Sequence, residues 1–163
     1  MGKKIESVRN KAKEGSESFK ASAELGKKAV SDVKQMKGLI DSLPTDVDDE
    51  IVSAAKAVEQ GTKSDAEGYM KSEVNTKLET GKKSMENASK EASDQVKNNE
   101  RVKSVFFQMD GIGAFGKNAR AEGTRSVEQS TNEFNKEIAQ NAENTRNAEQ
   151  AFKQSLSDIS STF

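Results

Sequence analysis

From Ile5 to Leu43 the apolar and small side chains recur at steps of three and four without a slip: Ile5, Val8, Ala12, Gly15, Phe19, Ser22, Gly26, Ala29, Val33, Met36, Ile40 and Leu43. That spacing keeps one face of an α-helix continuous and predicts a heptad seam packed against another helix. Five of its members are Gly, Ala or Ser, which let helix axes approach closely but bury little surface. Each interior glycine also costs the helix about 1 kcal/mol relative to alanine. Pro44 ends the helix, since its ring and missing N–H cannot continue one. Thr45 with Asp48 reads as a capping pair for the next helix, and Asp46, Asp48, Asp49 and Glu50 supply the negative charge that a helix N-terminus favours.

The second stripe starts at Val47, Ile51, Ala54 and Val58. It then steps by fours through Ala66, Met70, Val74 and Leu78, and returns to heptads at Gly81, Met85, Ala88, Ala92, Gln95, Asn99, Val102 and Phe106. The run of fours departs from the heptad, and Gly61 and Gly68 beside it leave room for a bend or break. Polar Gln95 and Asn99 on the seam weaken it while fixing its register. A third stripe follows Val127, Thr131, Phe134, Ile138, Ala142, Thr145, Ala148, Phe152, Leu156, Ile159 and Phe163, and carries the larger side chains. No alternating strand pattern is sustained over neighbouring segments. The expectation is a single all-α domain over residues 1–163, an elongated antiparallel bundle of three long helices at about 3–43, 46–108 and 117–162. At 1.5 Å per residue these would be roughly 60, 90 and 70 Å long.

The reversal between the second and third helices is the most apolar stretch of the chain, with Val102, Val105, Phe106, Phe107, Met109, Ile112 and Phe115 around Gly111, Gly113 and Gly116. The glycines spell Gly-x-Gly-x-x-Gly, and Gly111 to Lys117 begin a phosphate-binding loop. Asn118 stands where the magnesium-binding Ser or Thr belongs, and both motifs need a strand before them and a sheet around them. The reading adopted is a turn near 110–116 whose glycines supply positive-φ positions. Its apolar side chains, only partly able to bury one another at a hairpin tip, mark an interaction surface or cap the bundle end.

Composition narrows the function. Of the 163 residues 32% are hydrophobic and 33% charged, well below the apolar share of an ordinary globular core. Helices joined along narrow seams suit that balance. The net charge is −1, which provides no field for nucleic acid. Residues 1–43 carry ten basic and six acidic side chains, and residues 44–100 carry eight and thirteen, so the first two helices attract each other. There is no Cys and no His, hence no thiolate chemistry and none of the usual general base or commonest metal ligand. No catalytic residue, metal ligand or cofactor is expected. Asn87-Ala88-Ser89 matches a glycosylation acceptor, but in a helical context. No stretch approaches the roughly 20 apolar residues of a membrane span, and the basic N-terminus lacks the apolar run of a Sec-type signal. A cytoplasmic location, or export by a route needing no such signal, is the expectation.

The third segment has Val127-x6-Phe134-x3-Ile138-x3-Ala142 and then Phe152-x3-Leu156-x-Asp158-Ile159, behind a glycine-centred turn in which Gly111-Ile112-Gly113 occupies the place of a W-x-G. This resembles the WXG helical-hairpin proteins and the accessory partners of LXG toxins in bacterial type VII secretion. The resemblance implies a helical chaperone that binds the N-terminal helices of a secreted toxin and presents them for export. The partner-binding positions on this reading are Val105, Phe106, Phe107, Met109, Ile112 and Phe115 at the tip, with Val127, Phe134, Ile138, Phe152, Leu156 and Ile159 along the third helix. Two other readings use the same seams: a homo-oligomeric coiled coil, and a helical protein of the membrane surface.

Overall fold

The computed structural model describes residues 2–163. Among them every regular element is helical: α1 (Gly2–Asp41), α2 (Asp49–Tyr69), a π-helical turn (Met70–Val74), α3 (Asn75–Asp110) and α4 (Lys117–Thr162). The chain from Asp49 to Asp110 is one uninterrupted helix, so the expected three-helix, all-α architecture is what forms. The boundaries differ in detail. α1 stops at Asp41 rather than Leu43, because Pro44 pushes the residue before it out of the helical region. The last turn closes through Ser42 N–H to Gly38 O and Leu43 N–H to Ile40 O. The Thr45–Asp48 capping pair does not form. Asp48 itself is the N-cap of α2, with no side-chain capping bond, and Asp49 and Glu50 provide the first-turn charge.

The chain packs as two compact units. One comprises the chain up to Gly15 with Lys82–Asn144; the other comprises Ser16–Gly81 with Thr145–Phe163. The first unit buries Ile5, Val8 and Ala12 of α1, Met85, Ala88 and Ala92 of α3, and Phe134 of α4. Here α3 and α4 run antiparallel, pairing Lys103 with Glu128, Asn99 with Ser130 and Asn141 with Ser89. The Asn99 amide donates to Ser130 Oγ at 3.1 Å and to Thr131 Oγ1 at 3.2 Å, which ties the expected polar seam residue to one register. Arg9 of α1 pairs with Glu137, and Lys11 with Glu91. The Lys11 hydrogen bond holds the Glu91 carboxyl below its ordinary range, with partial burial opposing and the Ser7 hydroxyl assisting.

The second unit is built on Ala29, Val33, Met70, Val74 and Ile159, with Leu25, Val30, Ala66, Phe152, Leu156 and Phe163 packed around them. α1 and α4 approach closely at Gly26, where a β-carbon would lie 2.9 Å from Ser155 Oγ. The π turn explains the run of fours. The stripe Ala66, Met70, Val74, Leu78, Gly81, Met85, Ala88 steps 4, 4, 4, 3, 4, 3, one residue more than heptads allow. A π turn holds one residue more than an α turn. Inserted between Met70 and Val74 it absorbs the surplus, and both side chains stay at 0–1% exposure. Neither Gly61 nor Gly68 breaks the helix.

The first seam is buried as expected from Ile5 through Val33, including Gly15, Ser22 and Gly26. Its last members depart from expectation: Met36 is 36% and Leu43 44% exposed, and Ile40 is half-buried. On α4 the expected seam residue Ala142 is exposed, and Asn141 is buried at 2% exposure in its place. The apolar side chain lost to the polar one because Asn141 has a partner inside, the Ser89 hydroxyl at 3.2 Å.

Candidate interaction surfaces

The hairpin between α3 and α4 is organised by Arg120, one turn into α4. Its guanidinium donates to Asp110 Oδ1 at 2.6 Å, to the Phe115 carbonyl at 2.6 Å and to the Gly113 carbonyl at 3.0 Å. A single planar fork thus gathers the end of α3 and both halves of the loop. α3 closes through Gly111 N–H to Gln108 O and Ile112 N–H to Met109 O, and α4 opens with Arg120 N–H to Gly116 O at 2.9 Å. Only Gly116 has a positive φ, +76°; Gly111 and Gly113 do not, contrary to expectation. One left-handed residue suffices because the arginine, rather than a chain of glycines, sets the reversal. With its carbonyls committed to Arg120 and no strand among the described residues, the loop lacks the sheet context of a phosphate-binding motif.

Of the tip residues named from sequence, Phe106 is half-buried, and its ring would lie 3.0 Å from a β-carbon on Gly123. The others face solvent. Phe107 is 79%, Ile112 84% and Phe115 94% exposed, and Val105 and Met109 are exposed beside them. The α4 positions are placed differently. Phe134 and Ile159 are buried, at 3% and 0%. Val127, Ile138, Phe152 and Leu156 are half-buried, and Phe152 and Leu156 pack on the core of the second unit.

A second apolar surface lies in the second unit, where the end of α1 faces the start of α2. Leu39, Ile40 and Leu43 line one side of a groove, and Ile51, Ala54, Ala55 and Val58 the other. Leu39 is 61% exposed, and Leu43, Ile51, Val52 and Val58 between 41% and 47%. Sequence periodicity assigned most of these to a seam and so hid them as surface. A usable signal was present in the doublets Leu39-Ile40 and Ile51-Val52, each of which widens the apolar face beyond one stripe.

Polar chemistry is sparse. The buried polar side chains are Ser22, Ser130, Asn141 and Ser155, and no buried side-chain nitrogen or oxygen among the described residues is without a hydrogen-bond partner. No cluster of three or more potential metal ligands occurs among the described residues, and no described helix is long and apolar enough to cross a membrane. No protein-family model, no curated protein and no solved structure matches this chain.

Proposed function

We propose that the protein is a non-catalytic binding module that engages another helical protein through the hairpin tip at residues 105–115. The supporting observation is the exposure of Phe107, Ile112 and Phe115 on a loop fixed by Arg120. Each such side chain yields about 1.5–3 kcal/mol when fully buried. A loop already tied at three points gives up little further entropy on docking. The role follows the resemblance stated above: a partner for the N-terminal helices of a secreted LXG-type toxin. The glycine-centred reversal and the Phe and aliphatic stripe of the third helix are what support it.

The test is co-expression of the full chain with the helical N-terminal segment of a toxin encoded beside it. A heteromer that melts higher than either part is expected. The triple variant Phe107→Ser, Ile112→Ser, Phe115→Ser should keep the helical circular dichroism and melting temperature of the parent yet lose the complex. Separate elution of chain and segment overturns the proposal. Flotation of the parent, but not the triple variant, with anionic vesicles would transfer the tip to the lipid-surface reading.

A further inference from the structure

We infer that the facing ends of α1 and α2, residues 37–62 with the loop between them, open and close as one element while the core of the second unit stays folded. The first observation is a gap in burial. From Lys34 to Tyr69 no residue is buried. Before the gap Phe19, Ser22, Gly26, Ala29 and Val33 are buried, and after it Met70, Val74, Leu78 and Gly81. α4 joins at the edge of the gap: the Ser160 hydroxyl donates to the Glu67 carboxylate at 3.2 Å, and Phe163 packs on the core of Val33 and Met70. Further out, Leu39, Ile40 and Leu43 face Ile51, Ala54, Ala55 and Val58 across an open groove. Leu39, Leu43, Ile51 and Val58 are 44–61% exposed there.

The second observation is that nothing polar replaces the missing core. Lys37 pairs with Asp41 of its own helix, and the Ser42 hydroxyl donates to the Leu39 carbonyl. Asp48 caps α2 without a side-chain bond. Gly38 and Gly61 lie inside the helices with nothing within 4 Å of a β-carbon, and each weakens its helix about fivefold relative to alanine. Asp41, Asp46, Asp48, Asp49 and Glu50 crowd the loop with no base between Gly38 and Ala55. Asp41 also ends α1, where the helix dipole disfavours an anion. Short helices draw their stability from packing an apolar face. Here both draw it from one half-exposed stripe, so losing either end strips the other and opening is a shared step. The opening stops where Val33 and Met70 are anchored. The fold thus carries an element that orders or releases without unfolding the rest, separate from the 105–115 tip and independent of what the tip binds.

The experiment is native-state amide exchange on the full chain, with rates corrected for their unfolded values. Amides 38–43 of α1 and its last turn and amides 53–62 of α2 should share one level of protection. That level should lie at least tenfold below that of Ala29, Val33 and Leu78. Val58→Ser trims the stripe on α2 alone, yet should speed exchange about fivefold in both stretches. Gly26→Ala strains the packing of α1 on α4 and should speed exchange at Ala29, Val33 and Leu78 about fivefold. It should leave both stretches unchanged, because their opening does not pass through the core. Equal protection of the stretches and the core overturns the inference. So does a Val58→Ser effect confined to α2, which would be simple fraying, or acceleration of the stretches by Gly26→Ala.

Discussion

The Ser22 hydroxyl donates to the Val74 carbonyl at 3.1 Å, and this buried bond fastens α1 to the π turn of the long second helix. Ser22 is 3% exposed and Val74 1%, so water cannot replace the donor. Ser22→Ala removes this buried link between the helices and should cost about 0.5–1.5 kcal/mol. In urea the midpoint falls while the slope stays constant. An unchanged midpoint would show that the Ser22 bond adds nothing to stability.

The glycines separate into two classes with opposite expected signs. A β-carbon on Gly26 meets Ser155 Oγ at 2.9 Å and Ser155 Cβ at 3.3 Å, whereas one on Gly61 meets nothing within 4 Å. Gly61→Ala should stabilise the protein by about 0.5–1 kcal/mol through helix propensity alone. Gly26→Ala should destabilise it by about 1 kcal/mol, since overpacking outweighs the same gain. Combining it with Ser155→Ala removes the nearer of the two atoms and should recover about 0.5 kcal/mol beyond additivity. Chemical denaturation of the parent, the three single variants and the double variant measures all three quantities.

Much of the fold was legible in the sequence because helical period and burial coincide along α1. Nine successive seam positions from Ile5 to Val33 are buried as the spacing required. The period shows which residues share a face, but not whether a third helix covers it, so Met36, Ile40 and Leu43 read the same as Val33. Polar core positions were illegible for a related reason. Asn141 and Ser155 look like surface until their neighbours Ser89 and Gly26 are known. At the tip, the apolar cluster was visible in the sequence, while Arg120 was not. An arginine one turn into a helix is ordinary, and only the three-dimensional loop shows its fork reaching Asp110, Gly113 and Phe115.

Removing that fork should loosen the tip without unfolding the helices. Arg120→Met keeps the aliphatic stem and deletes three charge-assisted hydrogen bonds. Amide exchange at residues 111–116 should accelerate by about tenfold or more, while the amides of α3 near Ala88 and Ala92 stay protected. Limited proteolysis should shift to the loop. Uniform loss of protection in the surrounding unit would instead make Arg120 a determinant of global stability.

The Glu91 carboxyl gives the protein an acid-sensitive element. Its folded-state pKa is lowered from the ordinary 4.5, first by the Lys11 hydrogen bond. A group held lower in the folded state adds stability that is complete above its unfolded pKa and is lost as pH falls through the folded value. The melting temperature of the parent should therefore exceed that of Glu91→Gln by a constant amount above about pH 5, and the gap should shrink at lower pH. The side chain is 24% exposed and the pair is on the surface, so salt should narrow the gap as well. A gap independent of pH would exclude the ion pair as its source.

The π turn makes the sharpest prediction, because it turns a deletion into a conservative change. Within Met70–Val74 the helix carries one residue more than the seam can use, and Ser72 is exposed there. Deleting Ser72 removes a hydroxyl bonded to the Gly68 carbonyl at 2.9 Å and brings Met70 and Val74 three positions apart. The stripe from Ala66 then reads 4, 3, 4, 3, 4, 3, a regular heptad that an ordinary α-helix satisfies. The shortened chain should fold with nearly unchanged helical circular dichroism and lose no more than about 1–2 kcal/mol, chiefly from adjusting the Ser22 to Val74 bond. Deleting Lys83, an equally exposed residue in regular α-helix, instead rotates everything beyond it by about 100° about the axis. Met85, Ala88 and Ala92 would leave the core together, and the first unit should unfold. If both deletions prove equally damaging, the surplus residue is not what the π turn accommodates.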